Sequence, residues 1–280
     1  MSDQSVGSLH PFDQALQLTP TGVDEYAGAT DERYWNMIGP YGGITAAAML
    51  QAVMQHPDRL GEPVALTVNF AGPVARGAFT VRARAARTNR SSQHWVIEQL
   101  QADAQGRLES VTTATAVTAL RRGGFVLVEN TMPEAPAPET VAQVRLRRGP
   151  EWFGSYEMRP VKGGPPRVWD GSDSGDSLNQ LWMRDAPNRL LDYLSLTASA
   201  DFFYPRIWGR RATLGPVSTV SMTVYFHTDA KLLADTGEGY LLGQSRGQVF
   251  FKGFFDMQAQ LWNQQGALLA TTHQTLYFKE

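Results

Sequence analysis

Val64-Ala65-Leu66-Thr67-Val68-Asn69-Phe70 decides the fold, because the chain says it twice. Its apolar residues alternate with small or polar ones, the pattern of a strand with one buried face. The alternation returns from Val220 to Phe226, where Thr223-Val224-Tyr225-Phe226 aligns with Thr67-Val68-Asn69-Phe70 at an offset of 156. A second pair follows at an offset of 160. Gln105-Gly106-Arg107-Leu108 leads into the run Val111 to Leu120 as Gln265-Gly266-Ala267-Leu268 leads into Thr271 to Phe278. Two copies of one unit are expected to differ where only one of them works. The second copy has Asp201, Thr219 and Gln274 where the first has Val53, Pro63 and Ala114.

A chain of 280 residues, 42% of them apolar, accommodates two such units, each with its own core. The formal net charge of -2, without a basic block, argues against a nucleic-acid partner. There is no cysteine, which excludes disulfides, zinc–thiolate sites and thiol nucleophiles together. That usage fits a reducing compartment, and Met1 to Ser5 shows no basic or apolar leader, so a cytoplasmic protein is expected. No residue from Tyr34 to Pro57 is charged, a length that would cross a bilayer. Asn36, Pro40, two adjacent glycines and the glutamines make it too polar for lipid. A helix from about Gly43 to Gln55, buried on all sides in a water-soluble fold, is expected instead, with no membrane association.

The rest of the chain falls into the same order twice. A strand at Phe12 to Leu18 and a turn at Pro20-Thr21-Gly22 precede the first helix, which His56-Pro57 ends. Strands are expected at Val64 to Phe70, Phe79 to Ala86, His94 to Gln101 and Leu108 to Leu120. Glu129 to Glu139, with Pro133, Pro136 and Pro138, reads as an extended linker. Beyond it come a strand near Ser155 to Pro160, a Gly/Pro loop and a strand ending Leu181-Trp182-Met183-Arg184. A second helix follows over about Arg189 to Phe203, closed by Pro205. Four strands finish the chain, at Val217 to His227, Gly239 to Ser245, Val249 to Leu261 and Leu268 to Phe278. Each half is thus a helix enclosed by a curved antiparallel sheet, the hotdog architecture. The whole is expected to be an α+β double hotdog, with an N-terminal unit over 1–122, a linker over 123–150 and a C-terminal unit over 151–280.

Several chemistries lack their usual marks. Gly171-Ser172-Asp173-Ser174-Gly175 puts aspartate where a nucleophile elbow needs serine, and there is no P-loop, dinucleotide fingerprint or H-E-x-x-H. The five histidines show no metal-ligand spacing, so no metal and no cofactor is expected. Among the acids, Asp201 stands out. Leu190, Leu194, Thr197 and Asp201 lie near one line on a helix turning about 100° per residue. If the leucines face the sheet, Asp201 extends a buried stripe, and burial raises a carboxylate toward the range of a general base. The other reading lets the helix fray, so that Asp201 pairs with Arg206 or Arg210. Gln274 interrupts an apolar face shared by Leu268, Ala270, Leu276 and Phe278. It is either a sheet-edge glutamine bonded to backbone or an amide that orients water or a carbonyl. Thr219 opens a strand rich in hydroxyls and is ordinary there; simple alternation does not bring it to the face of Gln274 without a bulge. Gly42-Gly43 starts the first helix and suits either close helix–sheet packing or an oxyanion site made of free N–H groups.

On these residues the chain resembles the acyl-CoA thioesterase II (TesB-like) family of double-hotdog enzymes, whose hydrolytic residues are Asp, Thr or Ser, and Gln. The matching stretches are Ser199-Ala200-Asp201-Phe202, then Ser218-Thr219-Val220 followed by Tyr225-Phe226-His227, and then Ala270-Thr271-Thr272-His273-Gln274. Gly42-Gly43 before an Ala-rich helix and the Phe70-x-x-Pro73 strand also resemble the family. The resemblance implies hydrolysis of acyl-CoA thioesters, with Asp201 as general base on a water held by Thr219 and Gln274. Backbone N–H groups near Gly42 and Gly43 would serve the oxyanion. It also implies a homo-oligomer, a dimer of double hotdogs. Two other readings stay open: a hotdog enoyl-CoA hydratase, and a non-catalytic acyl-CoA binding protein.

Overall fold

The computed structural model describes residues 9–144 and 149–279; Met1 to Ser5, read above for a leader, lies outside them. Its helices are α1 (Pro11–Ala15), α2 (Gly42–Met54), α3 (Tyr193–Ser199), α4 (Ile207–Arg210) and α5 (Ala230–Thr236). The first half supplies strands β1 (Thr19–Pro20), β2 (Glu25–Ala29), β3 (Glu62–Phe70), β4 (Ala78–Thr88), β5 (Ser92–Ala102) and β6 (Leu108–Ala119). The second supplies β7 (Tyr156–Lys162), β8 (Asn179–Asp185), β9 (Val217–Phe226), β10 (Leu241–Arg246), β11 (Phe250–Phe251), β12 (Phe254–Asn263) and β13 (Leu268–Phe278).

All of these strands join one antiparallel sheet in the order β1-β2-β4-β5-β6-β3-β9-β13-β12-β10-β8-β7, with β11 paired to β12. The two halves meet at β3 and β9, the strands that the repeated sequence singled out. Across that seam Thr67 faces Thr223, its own counterpart in the repeat, and their hydroxyls lie 3.0 Å apart. On either side Leu66 faces Val224 and Val68 faces Met222, so each of the two meets the counterpart of the other. A local two-fold axis therefore passes between the two threonines. The free ends of the sheet are β1, which contains Pro20, and β7, which contains Pro160.

The uncharged stretch does form a helix, α2, and ten of its thirteen residues are buried, from Gly43 to Leu50 plus Ala52 and Val53. Alanines keep it thin enough for a partner, and α3 packs against it. A Cβ built on Gly43 would lie 2.5 Å from the carbonyl oxygen of Ala198, so this crossing requires glycine.

The second helix is shorter than the sequence reading placed it. Asp192 is extended and caps α3, accepting from the N–H groups of Leu194 and Ser195 while the Ser195 hydroxyl accepts from the Asp192 N–H. Leu190 consequently lies outside the helix and is 63% exposed, not part of a buried stripe. Phe12 to Leu18 is not a strand: His10 caps it and Pro11 favours its first turn, giving α1, which buries Phe12 and Ala15. Helix α5, capped by Asp229, was hidden between two strand patterns. The proline-rich segment is extended, but it is not bare. The Trp182 indole N–H donates to Pro136 O at 2.9 Å, Arg159 donates to Val141 O at 2.6 Å, and Met132, Ala135 and Val141 pack on Trp182, Tyr240 and Leu242.

Candidate active site

Helix α3 ends at Ser199, and the chain turns at once: the Asp201 N–H bonds to Ala198 O at 3.2 Å and the Phe202 N–H to Ser199 O at 3.3 Å. Phe202 and Phe203, which follow, are buried, and the Asp201 side chain meets the start of α2 at Gly42. The carboxylate does not reach Arg206 or Arg210. Arg206 is bonded to the carbonyls of Tyr204 and Ser177, and Arg210 to Asp173 and Gly175 O. Asp201 instead accepts from the Gln274 amide at 3.0 Å and from the Gly43 N–H. Desolvation pushes its pKa up to about 7, against the pull of those two donors, which favour the charged form.

Gln274 is 1% exposed and lies on β13, between β9 and β12, well away from any sheet edge. Its NH2 group faces Asp201 Oδ1 and approaches Ala200 O at 3.4 Å, while its carbonyl oxygen accepts from the Thr219 hydroxyl at 3.3 Å. The carboxylate fixes which way the amide points, since only the NH2 end donates. Thr219 reaches this face through a β-bulge. Thr275 pairs with Ser221, Leu276 pairs with Thr219, and Val220 is the extra residue. The bulge restores to Thr219 the face that strict alternation denied it.

Gly42 and Gly43 meet the same carboxylate. A Cβ on Gly42 would lie 2.6 Å from Asp201 Oδ2, and the Gly43 N–H is already given to Asp201. The five residues singled out in the sequence thus form one cluster at the crossing of the two central helices over β9 and β13.

Sequence reasoning missed the aromatic wall behind them. The Tyr41 hydroxyl donates to Ala198 O, the carbonyl that also holds the Asp201 N–H. The Tyr41 ring stacks on Trp152 at 4.2 Å and 9°, and Trp152 and Tyr156 both meet Phe202 edge-on. The only available signal was the tyrosine immediately before the glycine pair. Among the described residues no cluster of three or more His, Asp or Glu side chains is arranged to hold a metal ion. No helix among them is long and apolar enough to cross a membrane.

Comparison with known proteins gives two family matches. Residues 32–119 match the acyl-CoA thioesterase N-terminal domain and residues 129–278 the acyl-CoA thioesterase C-terminal domain. A search of the curated proteins found no match. Among solved structures, a protein of unknown function with a hot dog fold from Alicyclobacillus acidocaldarius is 40% identical. It superposes with a TM-score of 0.90, covering 98% of this chain and 99% of its own. Acyl-CoA thioesterase II TesB2 from Mycobacterium marinum is 17% identical, with a TM-score of 0.72 and coverage of 96% and 98%. The tesB protein of Mycobacterium avium subs paratuberculosis is 18% identical, with a TM-score of 0.75 and coverage of 98% and 100%. The architecture is therefore a double hotdog.

Proposed function

The chain belongs to the acyl-CoA thioesterase family and is a thioesterase, and we propose that it hydrolyses acyl-CoA to free acid and CoA with a water activated by Asp201. The observation that carries this mechanism is the Gln274 amide, which joins the Thr219 hydroxyl to the Asp201 carboxylate in one hydrogen-bonded line.

A water seated against that line gives one proton to Asp201 as its oxygen attacks the thioester carbonyl carbon. The carbonyl electrons move onto oxygen, and the N-terminus of α2 at Gly42-Gly43 is the source of N–H donors we assign to that oxyanion. In the resting state the Gly43 N–H serves the Asp201 carboxylate instead. Collapse of the tetrahedral intermediate re-forms the carbonyl and expels the thiolate, which takes up the proton that Asp201 received. A thiol of pKa about 8.5 leaves readily, so no separate strong acid is needed. A base held near pKa 7 suits this cycle, because about half of it is ionised at neutral pH and it is basic enough to take a proton in the transition state. We place the enzyme in the cytoplasm, in keeping with its cysteine-free chain, and expect a homo-oligomer, supported by the exposed run from Phe125 to Val128.

Asp201→Asn keeps the shape and removes the base. It should lower turnover by about 10²-fold or more, with CoA release from a panel of acyl-CoAs followed by a thiol-reactive dye. Near-wild-type turnover of this variant would refute the mechanism. Hydration of an enoyl-CoA without CoA release, or binding without turnover, would favour the other readings.

A further inference from the structure

A cavity of about 470 Å³ opens on the surface beside α4, a volume typical of ligand sites. Arg210, Arg211 and Arg246 line it, together with Asp173, Asp176 and the ring of Phe250. Asp201, Thr219 and Gln274 do not, so it is not where the bond is cleaved.

The cavity is built to carry positive charge. Arg210 donates to Asp173 at 2.9 Å and to Gly175 O at 2.8 Å, and Arg246 donates to Asp176 at 3.0 Å. All four of these side chains are at least 36% exposed, where such ion pairs are weak and rearrange readily around an incoming anion. The carboxylates thus hold the Arg210 and Arg246 guanidinium groups in place on the cavity wall. Under the floor lies Arg206, which is 0% exposed. It donates to Ser177 O, and Ser177 itself lines the cavity, so a further buried cation adds to the field.

The cavity also leads toward the reacting centre. A narrow crevice shares Ile207 and Arg211 with it and continues to Val217 and Phe278. Those two residues pair across β9 and β13, and Val217 lies two positions before Thr219 on β9. Anion site, crevice and Thr219 therefore follow one another along the molecule.

We propose that this cavity binds the phosphorylated nucleotide end of the CoA carrier while the thioester lies at Asp201, an assignment that rests on the thioesterase reading. Guanidinium groups suit phosphate through paired, charge-assisted hydrogen bonds. Phe250 offers the base an aromatic ring on which to stack.

Two substrates test it: an acyl-CoA, and the pantetheine thioester of the same acid, which lacks the nucleotide. In Arg210→Ala and in Arg246→Ala the ratio of kcat/KM for acyl-CoA to that for the pantetheine thioester should fall about tenfold, through KM. An unchanged ratio overturns the assignment. Calorimetric titration of the unaltered enzyme with adenosine 3′,5′-bisphosphate should show saturable binding that competes with acyl-CoA. Absence of binding at about 10 mM, where even a weak site would fill, also overturns it. If the wild-type enzyme hydrolyses neither thioester, the thioesterase reading fails, and the same titration still decides whether the cavity takes the nucleotide.

Discussion

Gly42 leaves space for the Asp201 carboxylate: the position its missing Cβ would occupy is 2.6 Å from Oδ2. An added methyl there meets the tip of a side chain, which swings aside at little cost to the fold. Gly42→Ala should therefore keep its melting temperature within a few degrees of the parent while lowering kcat by about tenfold or more, because the base is displaced from its water. Gly43→Ala differs, since its methyl would meet the Ala198 carbonyl at 2.5 Å and force the two helices apart. That variant should lose about 2 kcal/mol of stability or fail to fold, as measured by chemical denaturation.

Asp201 titrates near 7, far above an unperturbed carboxyl at about 3.9, because burial disfavours its charge. The acid limb of kcat/KM should therefore bend near pH 7. The same shift has a consequence for stability. A group with a raised folded pKa costs nothing while both states are protonated, below about pH 4, and costs progressively more as pH rises toward 7. Asp201→Asn should accordingly match the parent at low pH and exceed it by about 1–3 kcal/mol above pH 7.

Asp185 supplies a control for that experiment. Burial pushes it up to about 7 as well, and its Oδ1 has no hydrogen-bond partner among the described residues. It pairs with Tyr156 across β7 and β8 and takes no part in the Thr219–Gln274–Asp201 line. Asp185→Asn should gain stability above pH 7 in the same way while retaining turnover. Loss of turnover comparable to Asp201→Asn would show that the two carboxylates act together.

One active site per chain is expected, built mainly from the second copy. Ala114, the first copy's counterpart of Gln274, is 2% exposed and offers neither donor nor acceptor in its side chain. Gln274→Ala should lower turnover by about 10²-fold, and titration with a non-hydrolysable acyl-CoA analogue should saturate at one ligand per chain. A stoichiometry of two would contradict this asymmetry.

The repeat made strands β3 and β9 legible, because period-two alternation survives in both copies, but that the two pair with each other is not written in that pattern. The apolar length of α2 was equally plain, since a helix buried on nearly every side must be free of charge. The limits of α3 were not, because they depend on capping at Asp192 and on the turn after Ser199, whereas helical spacing extends smoothly through both. Asp201 was expected on a buried stripe through Leu190; the structure dissolves that stripe and leaves Asp201 half-buried at the turn after α3. Thr219 needed a bulge that no residue at Val220 announces. Tyr41, Trp152 and Phe202 meet only because two distant parts of the chain are folded together, and separations of that size leave no periodic trace.

The ends of the sheet carry a consequence for how these molecules behave in a crowd. A sheet that runs uninterrupted through both units exposes backbone donors and acceptors where its path stops, at β1 and β7, and along the two-residue β11, which pairs with β12 alone. Each terminal strand holds a proline, Pro20 in one and Pro160 in the other, and proline has no N–H to give an approaching strand. Strand-by-strand growth from copy to copy is thereby discouraged at both ends of the path.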